Sequence, residues 1–191
     1  FALDKFNALD MPIFAMAASM IWMLGGSADK NRWAMAFKCA AIPAMLIIFP
    51  VSGFEGVWRS FGKAYFNSPT FMQLPVWWYC FTGFLFLANA VLLLQAARKK
   101  DWLTFLPGAT GAALLANIAI CNTVFGTHEA AAFVASFMGF FGGVAVMLLA
   151  IRNEKILDMN FGMLLAAMVL IFRFFDGNFS FTVKGVIFIF I

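Results

Sequence analysis

From Met11 to Phe172 the chain repeats one pattern: a long run with no charged residue, a short charged cluster, then another run. The uncharged runs occupy 11–28, 39–54, 64–97, 102–127, 130–151 and 159–172. A helix that crosses a bilayer needs roughly 17 to 25 mostly apolar residues. Several runs meet that length outright, and the shorter ones reach it once the aliphatic stems of flanking Lys and Arg are added. In a stretch such as AAAFVASFMGFFGGVAVMLLAI, the apolar residues go all round the helical wheel. Such a helix has no face to offer water.

The pattern predicts six helices, over 8–24, 33–49, 75–97, 102–124, 129–151 and 157–172, with a seventh beginning near Ser180. The fold class is all-α, a polytopic transmembrane bundle of six to seven spanning helices in one domain, 1–191. Gly25-Gly26 reads as the end of the first helix, and Pro12 as part of its first turn, where a missing N–H costs little. Pro43 and Pro107 predict kinks. Segment 52–70 differs: Phe54, Val57, Trp58, Phe61 and Tyr65 fall at helical spacing, with Glu55, Arg59 and Lys63 elsewhere on the wheel. It reads either as an amphipathic helix lying in the membrane interface or as a loop with aromatic anchors. The chain opens on Phe1 and stops inside VIFIFI, so it is expected to be a portion of a longer protein.

Composition agrees with the pattern, since 64% of the 191 residues are hydrophobic, 12% are charged and the mean hydropathy is +0.92. A soluble domain has about a quarter of its residues charged. The formal charge of +4 is explained by topology. If all seven segments span, one side collects Lys30, Arg32, Arg98, Lys99, Lys100, Arg152 and Lys155, and the positive-inside rule makes that side cytoplasmic. The bilayer is the implied partner, together with missing segments of the same chain or another membrane subunit. No nucleic-acid partner is needed.

Candidate chemistry is sparse. Cys39, Cys80 and Cys121 stand singly in apolar runs, as small buried hydrophobes would, and there is no CxxC pair or histidine cluster. The spacing for zinc or an iron–sulfur cluster is therefore absent. No P-loop, dinucleotide fingerprint or G-x-S-x-G occurs. We assign no catalytic residue, metal ligand or cofactor. His128-Glu129 is the one histidine–carboxylate pair adjacent in sequence, and it reads as polar punctuation at a helix start.

Small residues recur every four positions, at Gly108, Ala112 and Ala116 on the fourth helix and at Ala135, Gly139 and Gly143 on the fifth. Such stripes let helix backbones approach closely, and the two are expected to pack on each other. Asn117 and Asn122 are the polar candidates on the fourth helix. Lys38 is a lone cation inside the second, about a turn and a half from its cytoplasmic end and within snorkelling reach of water. Arg173 and Asp176, three residues apart in FRFFDGNFSF, share a helix face with Lys184 if the helix continues. Gly177-Asn178 is a turn signal, which favours an interfacial ion pair that locks a turn over a buried functional pair.

This last region also carries a resemblance. Asn160, Gly162, Arg173, Phe174, Phe175, Asp176, Lys184 and Gly185, in NFGMLLAAMVLIFRFFDGNFSFTVKGVIFIF, match the closing segment of a bacterial multi-pass membrane family that is known as predicted membrane proteins with a domain of unknown function. The chain resembles that family over about 30 residues. The resemblance implies a bacterial inner-membrane protein and assigns no activity. Few polar residues lie inside the spans, so the expected role is a non-enzymatic membrane component. A small-solute or lipid transporter is the alternative, favoured by Pro43, Pro107 and Lys38, and an intramembrane enzyme comes third.

Overall fold

The computed structural model describes residues 10–27, 32–54, 57, 76–120 and 128–175. Among them the chain forms six helices: α1 (Asp10–Ser27), α2 (Arg32–Ser52), α3 (Val76–Arg98), α4 (Trp102–Ile120), α5 (His128–Arg152) and α6 (Ile156–Phe175). The stretches Trp33–Ser52, Cys80–Arg98, Ala130–Arg152 and Ile156–Phe174 are long and apolar enough to cross a membrane, and Ile13–Gly26 is a shorter apolar one. These are the marks of an integral membrane protein. The predicted seventh helix and residues 55, 56 and 58–70 of the expected interfacial segment lie outside the described residues.

Five helices close a ring in the order α1, α2, α6, α5, α4 and back to α1, while α3 packs outside it against α1 and α4. The exterior of this ring is apolar, unlike that of a water-soluble bundle. On α5 the large residues Phe133, Phe137, Phe141 and Leu148 are exposed, and Ala131, Ala132, Ala135, Ser136 and Ala150 are buried. The exposed rings stack along the helix, with Phe137 and Phe141 centroids 4.2 Å apart. Among its described side chains, peripheral α3 buries the narrow stripe of Leu85, Asn89 and Ala96 and exposes Phe84, Leu87, Val91 and Leu94. Cys39 and Cys80 are likewise on the outside, contrary to the buried thiols expected of them, and Cys121 lies outside the described residues. Lipid can solvate such an apolar exterior, so no hydrophobic penalty forces bulk inward.

Glycines set the closest approaches. Gly25 and Gly26 do not end α1, which runs through them to Ser27. A Cβ on Gly25 would come within 2.9 Å of both the Ala34 carbonyl and the Lys38 side chain, and one on Gly26 would collide with Thr104. Both glycines therefore serve contact between helices and do not cap. The tightest seam joins α5 to α6. A Cβ on Gly162 would sit 2.6 Å from the Gly143 carbonyl and 2.6 Å from the Met147 amide, and one on Gly143 would meet Gly162 and Ala166.

The α3–α4 and α5–α6 turns share one hydrogen-bond pattern. Asp101 and Lys155 amides donate to Ala96 and Ala150, and Lys100 and Glu154 amides to Ala97 and Ile151. Each is a Schellman closure, with its left-handed residue at Lys100 (φ 55°) or Glu154 (φ 56°). Asp101 then caps α4, its carboxylate accepting from the Thr104 amide at 3.2 Å and the Thr104 hydroxyl at 2.6 Å.

Candidate functional site: a buried lysine–aspartate pair

Because α3 and α5 end where α4 and α6 begin, their two charged turns lie together at one end of the bundle. Just inside that end lies a buried ion pair. Lys38 is six residues into α2, about 9 Å along the axis, and Asp158 is in the first turn of α6. The Lys38 ammonium donates to both carboxylate oxygens of Asp158, at 2.9 and 2.8 Å. The two residues are 7% and 1% exposed, which places the pair out of reach of bulk water. Lys38 does not snorkel, contrary to one expectation from its position, because an acid 120 residues away holds it inside.

The surroundings are aromatic. Trp22 of α1 is fully buried, and its ring lies 5.1 Å from the Lys38 ammonium, within cation–π range. Phe161, one turn after Asp158, packs against Trp22 at a centroid distance of 4.7 Å. The Trp22 indole N–H reaches the Leu103 carbonyl of α4 at 3.4 Å. That carbonyl is available because its partner within the helix would be residue 107, a proline without an N–H. Pro107 thus gives α1 a polar anchor on α4. Gly25 completes the site by letting α1 approach the Lys38 stem.

The other predicted residues are dispersed. Asn117 is buried near the far end of α4, and its amide donates to the Ala131 carbonyl of α5 at 2.9 Å. Arg173, in the last turn of α6, donates to the Gly53 carbonyl just after α2 at 3.0 Å, beside an edge-on Phe54–Phe172 contact. Asp176, Lys184 and Asn122 lie outside the described residues, as do the side chains of His128 and Glu129 at the start of α5. Arg173 is thus tied to α2, and the expected Arg173–Asp176 pair falls outside what the structure describes.

The two small-residue stripes do not meet. Gly108 opens onto Met23 of α1 and Leu93 of α3, and Gly139 onto Val169 of α6 and Phe49 of α2. Gly143 faces Gly162 and Ala166, so its match is the small-residue step on α6. Ala135 is fully buried, Ala112 half-buried, and Ala116 exposed. An exposed residue at the end of the α4 stripe cannot be part of a continuous seam.

Sequence reasoning missed Asp158, Trp22 and Asn89. An acid in the first turn of a helix is ordinary, because the macrodipole favours it there, and that reading hid Asp158. The usable signal was charge balance: a lysine placed inside an apolar span calls for an acid at the matching depth on another helix. Asn89 of α3 donates to the Met16 and Leu85 carbonyls at 3.1 and 2.8 Å, and its Oδ1 is buried without a partner among the described residues.

No group of three or more metal-ligating side chains occurs among the described residues. No family model, curated protein or solved structure matches the chain.

Proposed function

We infer that the chain is a multi-pass component of a bacterial inner membrane, crossing it six or seven times. Its role in this reading is non-enzymatic, holding its own helices and those of a partner subunit or a further part of the chain in a fixed arrangement. One observation carries the reading: four buried polar contacts of the described helices lie apart from one another, and each of the four joins one helix to another. Lys38 joins α2 to α6, Trp22 joins α1 to α4, Asn89 joins α3 to α1, and Asn117 joins α4 to α5. An active site needs the opposite, a nucleophile, base and polarising group converging within hydrogen-bond reach. The likeness of the Asn160 to Gly185 segment to the bacterial family supports the setting, and the positive turns support a cytoplasmic location for the end that holds Arg98, Lys100 and Arg152.

The Lys38–Asp158 pair itself favours a second reading, a small-solute or lipid transporter. Ionisable groups inside membrane bundles mark proton relays and ion pathways, and Pro43 lies on α2, the helix of Lys38, with Pro107 on α4.

Replacing both charges, as Lys38→Met with Asp158→Leu, separates the two readings. A structural component keeps its fold and its native-gel assembly, and proteoliposomes of the wild type show no proton flux above protein-free vesicles. A transporter shows flux in the wild type that the folded double variant loses. Orientation is tested in intact cells with Lys100→Cys and His128→Cys, in a background without Cys39, Cys80 and Cys121. An impermeant thiol reagent is expected to label position 128 alone, and labelling at 100 alone would invert the topology.

A further inference from the structure

The α3–α4 and α5–α6 turns, built on the same backbone pattern, lie side by side and border a half-open cavity of about 330 Å³. Lys100 comes from one turn, Arg152 and Lys155 from the other, and Trp102 stands at the start of α4. Asp101 is the one carboxylate on this wall. It caps α4, with both oxygens taken by Thr104, so its charge is directed into the helix end. Three cations and one carboxylate line the wall.

We propose that this cavity binds a phosphate-bearing ligand, supplied by the headgroup of an anionic phospholipid or by free phosphate. A guanidinium offers a planar fork that matches two phosphate oxygens, and lysine ammoniums add point charges around it. The volume exceeds what a carboxylate needs and has room for a phosphate with part of its ester group. Trp102 is half-exposed, with its ring edge-on to Phe105 at 5.5 Å, and tryptophan at a helix end marks headgroup depth in a bilayer. Basic recesses between helices at the cytoplasmic boundary are where anionic headgroups lodge. The lipid source rests on the membrane reading above, whereas the phosphate source does not.

The test uses the full chain in an uncharged detergent, with phosphatidylglycerol, phosphatidylcholine and inorganic phosphate as probes and native mass spectrometry as readout. The wild type is expected to prefer phosphatidylglycerol over phosphatidylcholine. Lys100→Gln, Arg152→Gln and Lys155→Gln together should remove that preference, at about fivefold per charge. Arg98→Gln, an exposed charge at the same end but not on the cavity wall, should change affinity less than twofold. Arg152→Lys keeps the charge and loses the fork, so weakened binding there marks a built site as opposed to a general field. It also carries the test if the triple variant fails to fold. Phosphate binding that needs the same three residues, without a preference between the lipids, identifies free phosphate as the source. A triple variant that binds both probes like the wild type, or no better discrimination than Arg98→Gln gives, overturns the proposal. Membrane partition measured beforehand separates a failure of the membrane reading from a failure of the site.

Discussion

Helix α6 is joined to its neighbours in two different ways within a few turns. At its start it meets α2 through a charge pair, Asp158 against Lys38. In its middle it meets α5 backbone to backbone, where Gly162 and Gly143 leave no room for a single methyl group. The first joint is long in reach, directional and costly to desolvate. The second is short in reach, dry and dependent on shape. Where lipid removes the hydrophobic drive for association, both close packing and polar contacts have to hold helices together. α6 uses each where the geometry allows it: the ion pair spans the wider gap that Trp22 and Phe161 fill, and the glycines close the narrow one.

The charge joint should show the largest effects when half of it is removed. Lys38→Met leaves a buried carboxylate without a partner, and Asp158→Asn leaves a buried ammonium. Each is expected to destabilise the protein by about 3–5 kcal/mol in detergent, while the double replacement Lys38→Met with Asp158→Leu recovers most of the loss. The size of the coupling in this double-mutant cycle is the diagnostic quantity. Single variants that melt within about 1 kcal/mol of the wild type would mean that water reaches the pair, and the contrast between the two joints would disappear.

The shape joint predicts a smaller but more local effect. Gly162→Ala and Gly143→Ala each push a methyl group into opposing backbone, which cannot rotate aside, and should cost about 1–3 kcal/mol. Gly142 is the internal control, because a Cβ there meets nothing within 4 Å. Gly142→Ala should be neutral or stabilising by up to about 1 kcal/mol, through helix propensity. Thermal melting of the three variants side by side decides the matter. Equal tolerance at 142 and 143 would show that α5 and α6 are free to separate.

The two joints also differ in how far the sequence revealed them. Helix positions were legible because uncharged runs end at charge clusters, and five of the six predicted starts lie within one residue of the observed ones. Lys38 was visible as a cation inside a span. Its partner was not, since Asp158 in the first turn of α6 fits the macrodipole without any tertiary reason. The α5 stripe of Ala135, Gly139 and Gly143 was also visible, but a stripe does not name its mate. Small residues four apart occur on α4 at 108, 112 and 116 and on α6 at 162 and 166, and only the folded ring selects the second. Gly25-Gly26 shows the same ambiguity locally. A glycine pair near the end of an apolar run can stop a helix or admit a neighbour, and here it admits Lys38 and Thr104.

The smallest expected effect lies in the turn that precedes both joints. Glu154 holds a left-handed conformation, with φ 56°, which costs a residue with a Cβ roughly 1–2 kcal/mol. Glycine carries no such penalty but gains more freedom in the unfolded chain, so the net gain from Glu154→Gly should be about 0.5–1 kcal/mol. Asparagine tolerates the same region with less unfolded freedom, and Glu154→Asn should therefore do about as well. The turn sets where α6 begins, so it fixes the heights of both Asp158 and Gly162. If the joints are independent of each other, the gain should be the same in the wild type, in Gly162→Ala and in the Lys38→Met/Asp158→Leu background, each measured by melting in detergent. A gain that vanishes only in the charge-replaced background would show that the left-handed residue is held in place by the ion pair, and that α6 is positioned from its charged end.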